Sequence, residues 1–347
     1  MVASAENSIK PLSNLHIIEF SGLGPAPFAA MLLADMGAEV TRILTPEAAK
    51  KAAARNSFID RGRKNVPLDL KTDDGLEAAR ELIRRADALI EGFRPGKMEQ
   101  LGLGPDAVMP LNPRLVYGRM TGWGQQGPAA HLAGHDLNFL GMTGLLSLMG
   151  EKGRNPMPPL NLISDFGGGG MYLAFGLVCA IWHARLTGCG QIVDAAMVHG
   201  TTHLASFIHG RIAQGQWIDE RQSNLVDGGA PYYRVYMTRD GRYMAVGAIE
   251  PVFFRNLILT LQLDEAYIAE QANRSRWPEL ERALSDAFLQ NDLAHWSAVF
   301  ENVDACTTPV LRVEEAKKHP QMAACFVEAD GYVQPSVAPV IRPWSGS

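Results

Sequence analysis

Short apolar runs ending in glycine or proline turns alternate with stretches of helical spacing through the first half of the chain. Leu15 to Phe20 is one such run. It leads into the turn Gly22-Leu23-Gly24-Pro25, after which Phe28, Met31, Leu32 and Met36 recur at helical spacing. Further strands are expected at Ala38 to Ile43, Val66 to Leu70, Ala88 to Glu91, Leu115 to Met120 and Gln191 to Asp194. Strands alternating with helices predict an α/β fold whose parallel sheet carries helices on both faces. After about Leu225 the pattern changes. Tyr232 to Met237 and Arg242 to Val246 flank Arg239-Asp240-Gly241, a hairpin signal, and helical patterns follow over Trp277 to Leu289 and Leu293 to Phe300. The pattern predicts a large domain over residues 1–199, a polar connection over 200–225 and a smaller α+β domain over 226–328. The longest apolar stretch, Met171 to Trp182, is shorter than the roughly 20 residues of a membrane span and reads as a buried helix.

Composition narrows the function classes. With 347 residues, 47% apolar and 20% charged, the chain can bury two ordinary cores. A formal charge of −5 argues against nucleic acid as a partner, because phosphate binders carry a basic excess. Cys179, Cys189, Cys306 and Cys325 are scattered without CxxC spacing, so neither a zinc site nor a disulfide framework is expected. With no leader read at the start, a reducing cytoplasm is the expected location.

The turn Gly22-Leu23-Gly24-Pro25-Ala26-Pro27 begins like a dinucleotide fingerprint. Its third glycine is Pro27, and Thr45 stands where a ribose-binding acid belongs, so no nicotinamide or flavin cofactor is expected. The richest stretch is Asn161-Leu162-Ile163-Ser164-Asp165-Phe166 followed by Gly167, Gly168, Gly169 and Gly170. Each helical glycine loses about 1 kcal/mol relative to alanine, so four together imply close approach of the backbone, read here as approach to a ligand whose negative charge meets free N–H groups. Asp165 alone is also explained as a helix cap. His135, in Gly134-His135-Asp136, is by itself more often a hydrogen-bonded structural group than a base. His199 and His203 share a helix face, but no glutamate lies between them, so no metal site is expected. Arg42, Arg61, Arg63, Lys64 and Arg94, at strand or loop ends, suit a phosphorylated ligand or a solvated surface. Met120 and Met197 suit a deformable apolar wall or a core.

Taken together, several stretches resemble the family III CoA-transferase superfamily and, within it, the α-methylacyl-CoA racemases. They are Asp35-Met36-Gly37-Ala38-Glu39-Val40, Glu91-Gly92-Phe93-Arg94-Pro95-Gly96, Gly118-Arg119-Met120-Thr121-Gly122-Trp123-Gly124-Gln125 and Gly134-His135-Asp136-Leu137-Asn138-Phe139. Asp165-Phe166 with its glycines, Asp227-Gly228-Gly229-Ala230-Pro231-Tyr232-Tyr233 and Val246-Gly247-Ala248-Ile249-Glu250-Pro251 complete the set. The resemblance spans nearly the whole chain. It implies a Rossmann-like large domain, a smaller α+β domain, a final segment over 329–347 that returns to the large domain, and an interlocked homodimer whose active sites are shared between subunits.

For the chemistry, the resemblance implies an acyl-CoA substrate, no separate cofactor, and no nucleic-acid or membrane partner. His135, supported by Glu250, would serve one face of the α-carbon and Asp165 the other. One base per face in opposite protonation states is what inversion through an enolate requires. The N–H groups after Asp165, with Gly167 and Gly168, are the expected oxyanion donors, and Asn161 adds a hydrogen bond. CoA would run along Leu68-Asp69-Leu70-Lys71, the preceding Arg61, Arg63 and Lys64, Arg42 and Arg94. Its pantetheine would pass Gly134, Asp136, Leu137, Asn138 and Phe139, with Met120 facing the acyl group. This chain departs from the racemase pattern at Thr45-Pro46, commonly Arg-Pro, and at Gln100, often arginine. Two rivals remain: a CoA-transferase with Asp165 as nucleophile, and a non-catalytic acyl-CoA-binding protein.

Overall fold

The computed structural model describes residues 10–20, 22–53 and 57–344. Two compact units divide the chain: the first comprises the chain up to Leu145, Pro159–Phe207 and Ala324 onward, the second Leu146–Pro158 and Ile208–Ala323. In the first unit, β1 (His16–Phe20), β2 (Glu39–Leu44), β3 (Arg63–Pro67), β4 (Ala88–Glu91), β5 (Val116–Thr121) and β6 (Ile192–Ala196) form one sheet in the order β3-β2-β1-β4-β5-β6. Every pairing in it is parallel. This is the doubly wound order, and ligands of such sheets bind beyond the strands' carboxyl ends.

Strict alternation builds two cores from these strands. Ile17, Ile90 and Val116 point to one face, where α1 (Pro25–Asp35) and, after α2 (Asp73–Arg84) and α3 (Asp136–Met142), α4 (Tyr172–Thr187) pack. Their neighbours Ile18, Leu89 and Tyr117 point to the other, against Ala79 and Ile83 of α2.

Strand β3 begins three residues before its expected start. Arg63 and Asn65 hid it from an apolar search. They are held by partners within the fold: Arg63 pairs with Glu19 at 2.6 Å and Arg42 bonds Asn65 at 2.9 Å. Both side chains of the Glu19–Arg63 pair are fully buried. A second polar pair crosses the sheet at β4 and β5, where Glu91 stands opposite Arg119 with the groups 3.1 Å apart.

The glycine run is part of a π-helix, Leu162–Met171, continuous with α4. After β6, α5 (Met197–Leu204) packs on it so closely that a Cβ on Gly200 would lie 1.9 Å from the Gly168 carbonyl oxygen. A Cβ on Gly168 would meet Thr201, one on Gly169 would meet Met197 and Pro25, and one on Gly170 would meet Phe28. These glycines admit the neighbouring helices, which corrects the expectation that they admit a ligand.

The run Leu162–Thr187 is 26 residues long and apolar enough by length and composition to cross a membrane, and 39% of its most apolar window is buried. Leu173, Leu177, Ile181 and Ala184 join the core, while Met171, Phe175, Val178, Trp182 and Leu186 form an exposed apolar stripe. The helix is therefore buried on one side only, contrary to its sequence reading.

Residues 200–225 are not a bare connection, because α5 ends there and α6 (Ser206–Ala213) follows. Residues 146–158, expected in the first domain, group with the second unit. Arg221 donates to the carbonyls of Ser147, Glu151 and Arg154, and Lys152 pairs with Glu220 at 2.7 Å. The second unit holds the antiparallel sheet β7 (Tyr233–Met237), β8 (Tyr243–Gly247) and β9 (Thr307–Pro309), packed by α7 (Pro251–Thr260), α8 (Trp277–Phe288) and α9 (Leu293–Phe300). A two-stranded hairpin, β10 (Phe326–Ala329) and β11 (Tyr332–Pro335), belongs to the first unit.

Two stability predictions follow from these contacts. Gly200→Ala sets a methyl against backbone that cannot yield, and should destabilise the first unit by about 3 kcal/mol or more, read as a lowered melting temperature. Burial, outweighing Arg119, pushes the Glu91 carboxyl up to about 7. The folded state therefore holds a proton that the unfolded state has released. The Glu91 contribution to stability should fall as pH rises from about 4.5 to about 7 and level off above, so Glu91→Gln should make the stability profile shallower there.

Candidate active site

Asp165 is the fourth residue of the π-helix and is half-buried. Helix starts leave their first N–H groups without intrahelical partners. Here the local cap residue, Asn161, makes no side-chain cap bond. The cap comes instead from Asp136, whose Oδ2 accepts the N–H groups of Ser164 (2.7 Å) and Asp165 (2.8 Å). Asp136 is buried and opens α3, directly after His135. The His135 N–H donates to Asn138 Oδ1 at 3.0 Å, the His135 carbonyl accepts from Asn138 N at 2.8 Å, and the residue is exposed. His135 and Asp165, 30 residues apart in sequence, are thus joined through one carboxylate.

The backbone before α1 passes beside the Asp165 carboxylate: a Cβ on Gly24 would stand 3.6 Å from Asp165 Oδ2. Gly24 has φ of 70°, a conformation that suits glycine. Pro25 and Pro27 begin that helix, so two of its four free N–H donors do not exist. Burial raises the Asp165 pKa above the ordinary carboxylate value. The hydrogen bond from Asn161, a long one at 3.4 Å, opposes the rise, the Asp136 charge adds to it, and His135 opposes it. Asn161 is therefore placed on Asp165 itself.

The expected oxyanion donors are corrected. From Gly167 onward the N–H groups are engaged within the π-helix, five residues back, and Gly168 is buried under Thr201. The N–H groups of Asp136 and Leu137, in the first turn of α3, have no acceptor among the described residues. Phe139 is a buried support whose ring lies over Gly122 and Gly134 and meets Trp123 edge-on, with centroids 4.8 Å apart. Met120 and Met197 belong to the core, and do not form an exposed acyl wall. Leu23, Leu137 and Leu162, within three residues of Gly24, His135 and Asp165 in the chain, are among the exposed apolar groups.

Three arginines expected on CoA phosphates have internal partners. Arg42 pairs with Asp60 (2.6 Å) and Asn65, and Arg61 grips Asp35 through two bonds of 2.8 and 2.5 Å. Arg63 holds Glu19 and the carbonyls of Ile59, Arg61 and Pro27. A cavity of about 190 Å³ beside Arg42, Asp60, Arg61, Asn65 and Gln334 is lined by neither His135 nor Asp165. Lys64, Lys71 and Arg94 are exposed and carry no ion pair among the described residues. Leu68, Asp69, Leu70 and Lys71 form the loop from β3 to α2, where Leu68 and Leu70 pack on the core and Asp69 accepts the Lys71 N–H at 3.0 Å.

Glu250, in the second unit, is the cap residue of α7, yet its exposed carboxylate makes no cap bond. The two helical histidines go separate ways: His203 Nδ1 meets the Tyr172 hydroxyl at 2.7 Å, and His199 faces Asp194. Sequence reading missed the bridging role of the Asp136 side chain and the part of Gly24. Both left a signal, an aspartate at the first turn after His135 and a glycine before a Pro-Ala-Pro helix start.

The profile of CoA-transferase family III matches residues 12–333. Alpha-methylacyl-CoA racemase of Mus musculus is 42% identical over 330 residues, covering 94% of this chain and 85% of that one. The Homo sapiens alpha-methylacyl-CoA racemase is also 42% identical, over 333 residues, covering 95% and 86%. A CAIB/BAIF family protein from Brucella suis, 24% identical, shares the fold with a TM-score of 0.79 over 98% of this chain and 94% of that one. The chain belongs to CoA-transferase family III, on the branch of the alpha-methylacyl-CoA racemases.

Proposed function

We propose that this protein interconverts the (2R) and (2S) forms of 2-methylacyl-CoA thioesters by proton exchange at C2. The observation that carries this reading is the bridged pair His135 and Asp165, two groups of different chemistry on adjoining turns. One takes the α-proton while the other holds a proton for the opposite face. Burial, with the charge of Asp136, raises the pKa of Asp165 above the ordinary carboxylate value, a shift in the direction that proton exchange at this group requires. The planar enolate between the two transfers places negative charge on the thioester oxygen, which the free N–H groups of Asp136 and Leu137 serve. The transfers balance with protons alone, and CoA enters as part of the substrate.

The exposed Leu23, Leu137 and Leu162 supply apolar surface for a branched acyl group. Lys64, Lys71 and Arg94, without an ion pair among the described residues, are the cations for the CoA phosphates. The apolar stripe of α4 and the exposed side chains of β7, Tyr233, Val235 and Met237, suit burial in a homodimer, in which Glu250 of one subunit supports His135 of the other. The four free cysteines fit a reducing cytoplasm.

Incubation with either enantiomer of a 2-methylacyl-CoA in D2O should place deuterium at C2 and converge on one mixture. Absence of exchange from both enantiomers of several such thioesters would remove the racemase reading. A CoA adduct trapped on Asp165 in the presence of a carboxylate acceptor would establish a transferase instead. In single-turnover exchange, His135→Ala should slow one enantiomer by about 10²-fold or more, and Asp165→Ala the other. Equal losses from both variants would rule out one base per face. Arg94→Ala should raise KM about tenfold with little change in kcat, whereas Arg61→Ala should lower the melting temperature and leave KM nearly unchanged.

A further inference from the structure

We infer that Asp136 is a positioning residue for the racemase chemistry, its carboxylate the strut that sets the Asp165 turn against the His135 turn. The inference rests on the racemase reading and adds a residue to it. Oδ2 takes the N–H groups of both Ser164 and Asp165, and the side chain is 3% exposed. Adjacent Cα atoms are about 3.8 Å apart, so fixing Asp136 also fixes the backbone of His135. A cap reaching across 29 residues does what a local serine or asparagine usually does, and here it links two helix starts that carry opposite bases.

The second oxygen, Oδ1, is buried without a hydrogen-bond partner among the described residues, as is the Ser164 hydroxyl. A neutral amide would cap the same two N–H groups without burying a charge, so the carboxylate has an effect beyond capping. That effect is electrostatic: the negative charge of Asp136 adds to burial in opposing ionisation of Asp165. The charged groups facing Asp165 are Asp136 and His135 from the start of α3. Gly24, just before α1, passes beside Asp165, Pro25 and Phe28 of α1 and Thr201 and Met197 of α5 pack on the glycines that follow it, and the α5 histidines face Tyr172 and Asp194.

Two substitutions separate strut from charge. Asp136→Asn keeps an oxygen for both N–H groups and removes the charge. Asp165 should then ionise more readily, and the pH limits of the exchange that depends on it should move to lower pH, with KM unchanged. Asp136→Ala removes both functions and should lower kcat for both enantiomers by about 10²-fold, with KM changed far less. Partial recovery of kcat in Asp136→Asn relative to Asp136→Ala marks the strut. If Asp136→Ala does not fold, Asp136→Asn decides alone. With the wild-type protein exchanging deuterium normally, wild-type kcat for both enantiomers in a folded Asp136→Ala would overturn the strut, and an unshifted pH profile in Asp136→Asn would overturn the charge effect. Failure of the wild-type protein to exchange would be failure of the racemase reading itself.

Discussion

The contact on which this architecture depends is the near-collision of two backbones, the π-helix at Gly168 and α5 at Gly200. No side chain fits between them, since a Cβ on Gly200 would fall 1.9 Å from the Gly168 carbonyl oxygen. Four glycines in a helical segment sacrifice about 1 kcal/mol each of intrinsic propensity, so the segment is helical because of what it packs on. α5 follows directly from β6, and α1 lies on the same segment through Pro25 and Phe28. Asp165 is thereby fixed relative to the sheet by α1 and α5, at the carboxyl-end side where doubly wound sheets bind ligands. A π-helix has few reasons to persist unless its neighbours hold it, and positions such as this are where it is tolerated.

Charge in this unit is organised by the same economy of space. Glu19 with Arg63, Glu91 with Arg119 and Arg61 with Asp35 place ion pairs within or beside the sheet. Such pairs add little net stability against apolar replacements, and breaking one leaves a buried charge. Their consequence for function is subtraction: Arg61 and Arg63, together with Arg42 on Asp60, suit phosphate in sequence and are occupied. What is left for a phosphorylated ligand is the exposed set of Lys64, Lys71 and Arg94. Asp136 is the exception, a buried carboxylate paired with backbone N–H groups and with no cation among the described residues, and it stands beside Asp165.

The sheet was legible because each strand except β3 is an apolar run between turn residues, and alternation within the runs assigns both cores. β3 was displaced because its apolar content is small and its stability comes from ladder bonds and from partners that lie 23 and 44 residues earlier in sequence. The hairpin and the helices of the second unit followed local signals and appear where those signals stand. His135, Asp165 and Glu250 were legible as a set only through family resemblance, since a single histidine or aspartate has too many structural explanations. The meaning of the glycines was not legible: a ligand and a neighbouring helix make the same demand on a backbone, and sequence does not distinguish them. Pairing of Arg42, Arg61 and Arg63 was hidden for the same reason, because their acids are remote in the chain.

Asp165 and its glycines would serve a transferase equally well, as a nucleophile needs a buried carboxylate on a rigid turn. A nucleophile, however, acts as the anion, and an environment that resists ionisation works against it. In this chain burial and the Asp136 charge both resist ionisation, and the prolines at the start of α1 withhold N–H groups that would otherwise favour the carboxylate. An acid that must give and take a proton benefits from that same resistance. The electrostatics around Asp165 therefore match proton exchange better than covalent attack. They reach that conclusion without the His135 resemblance, which points the same way.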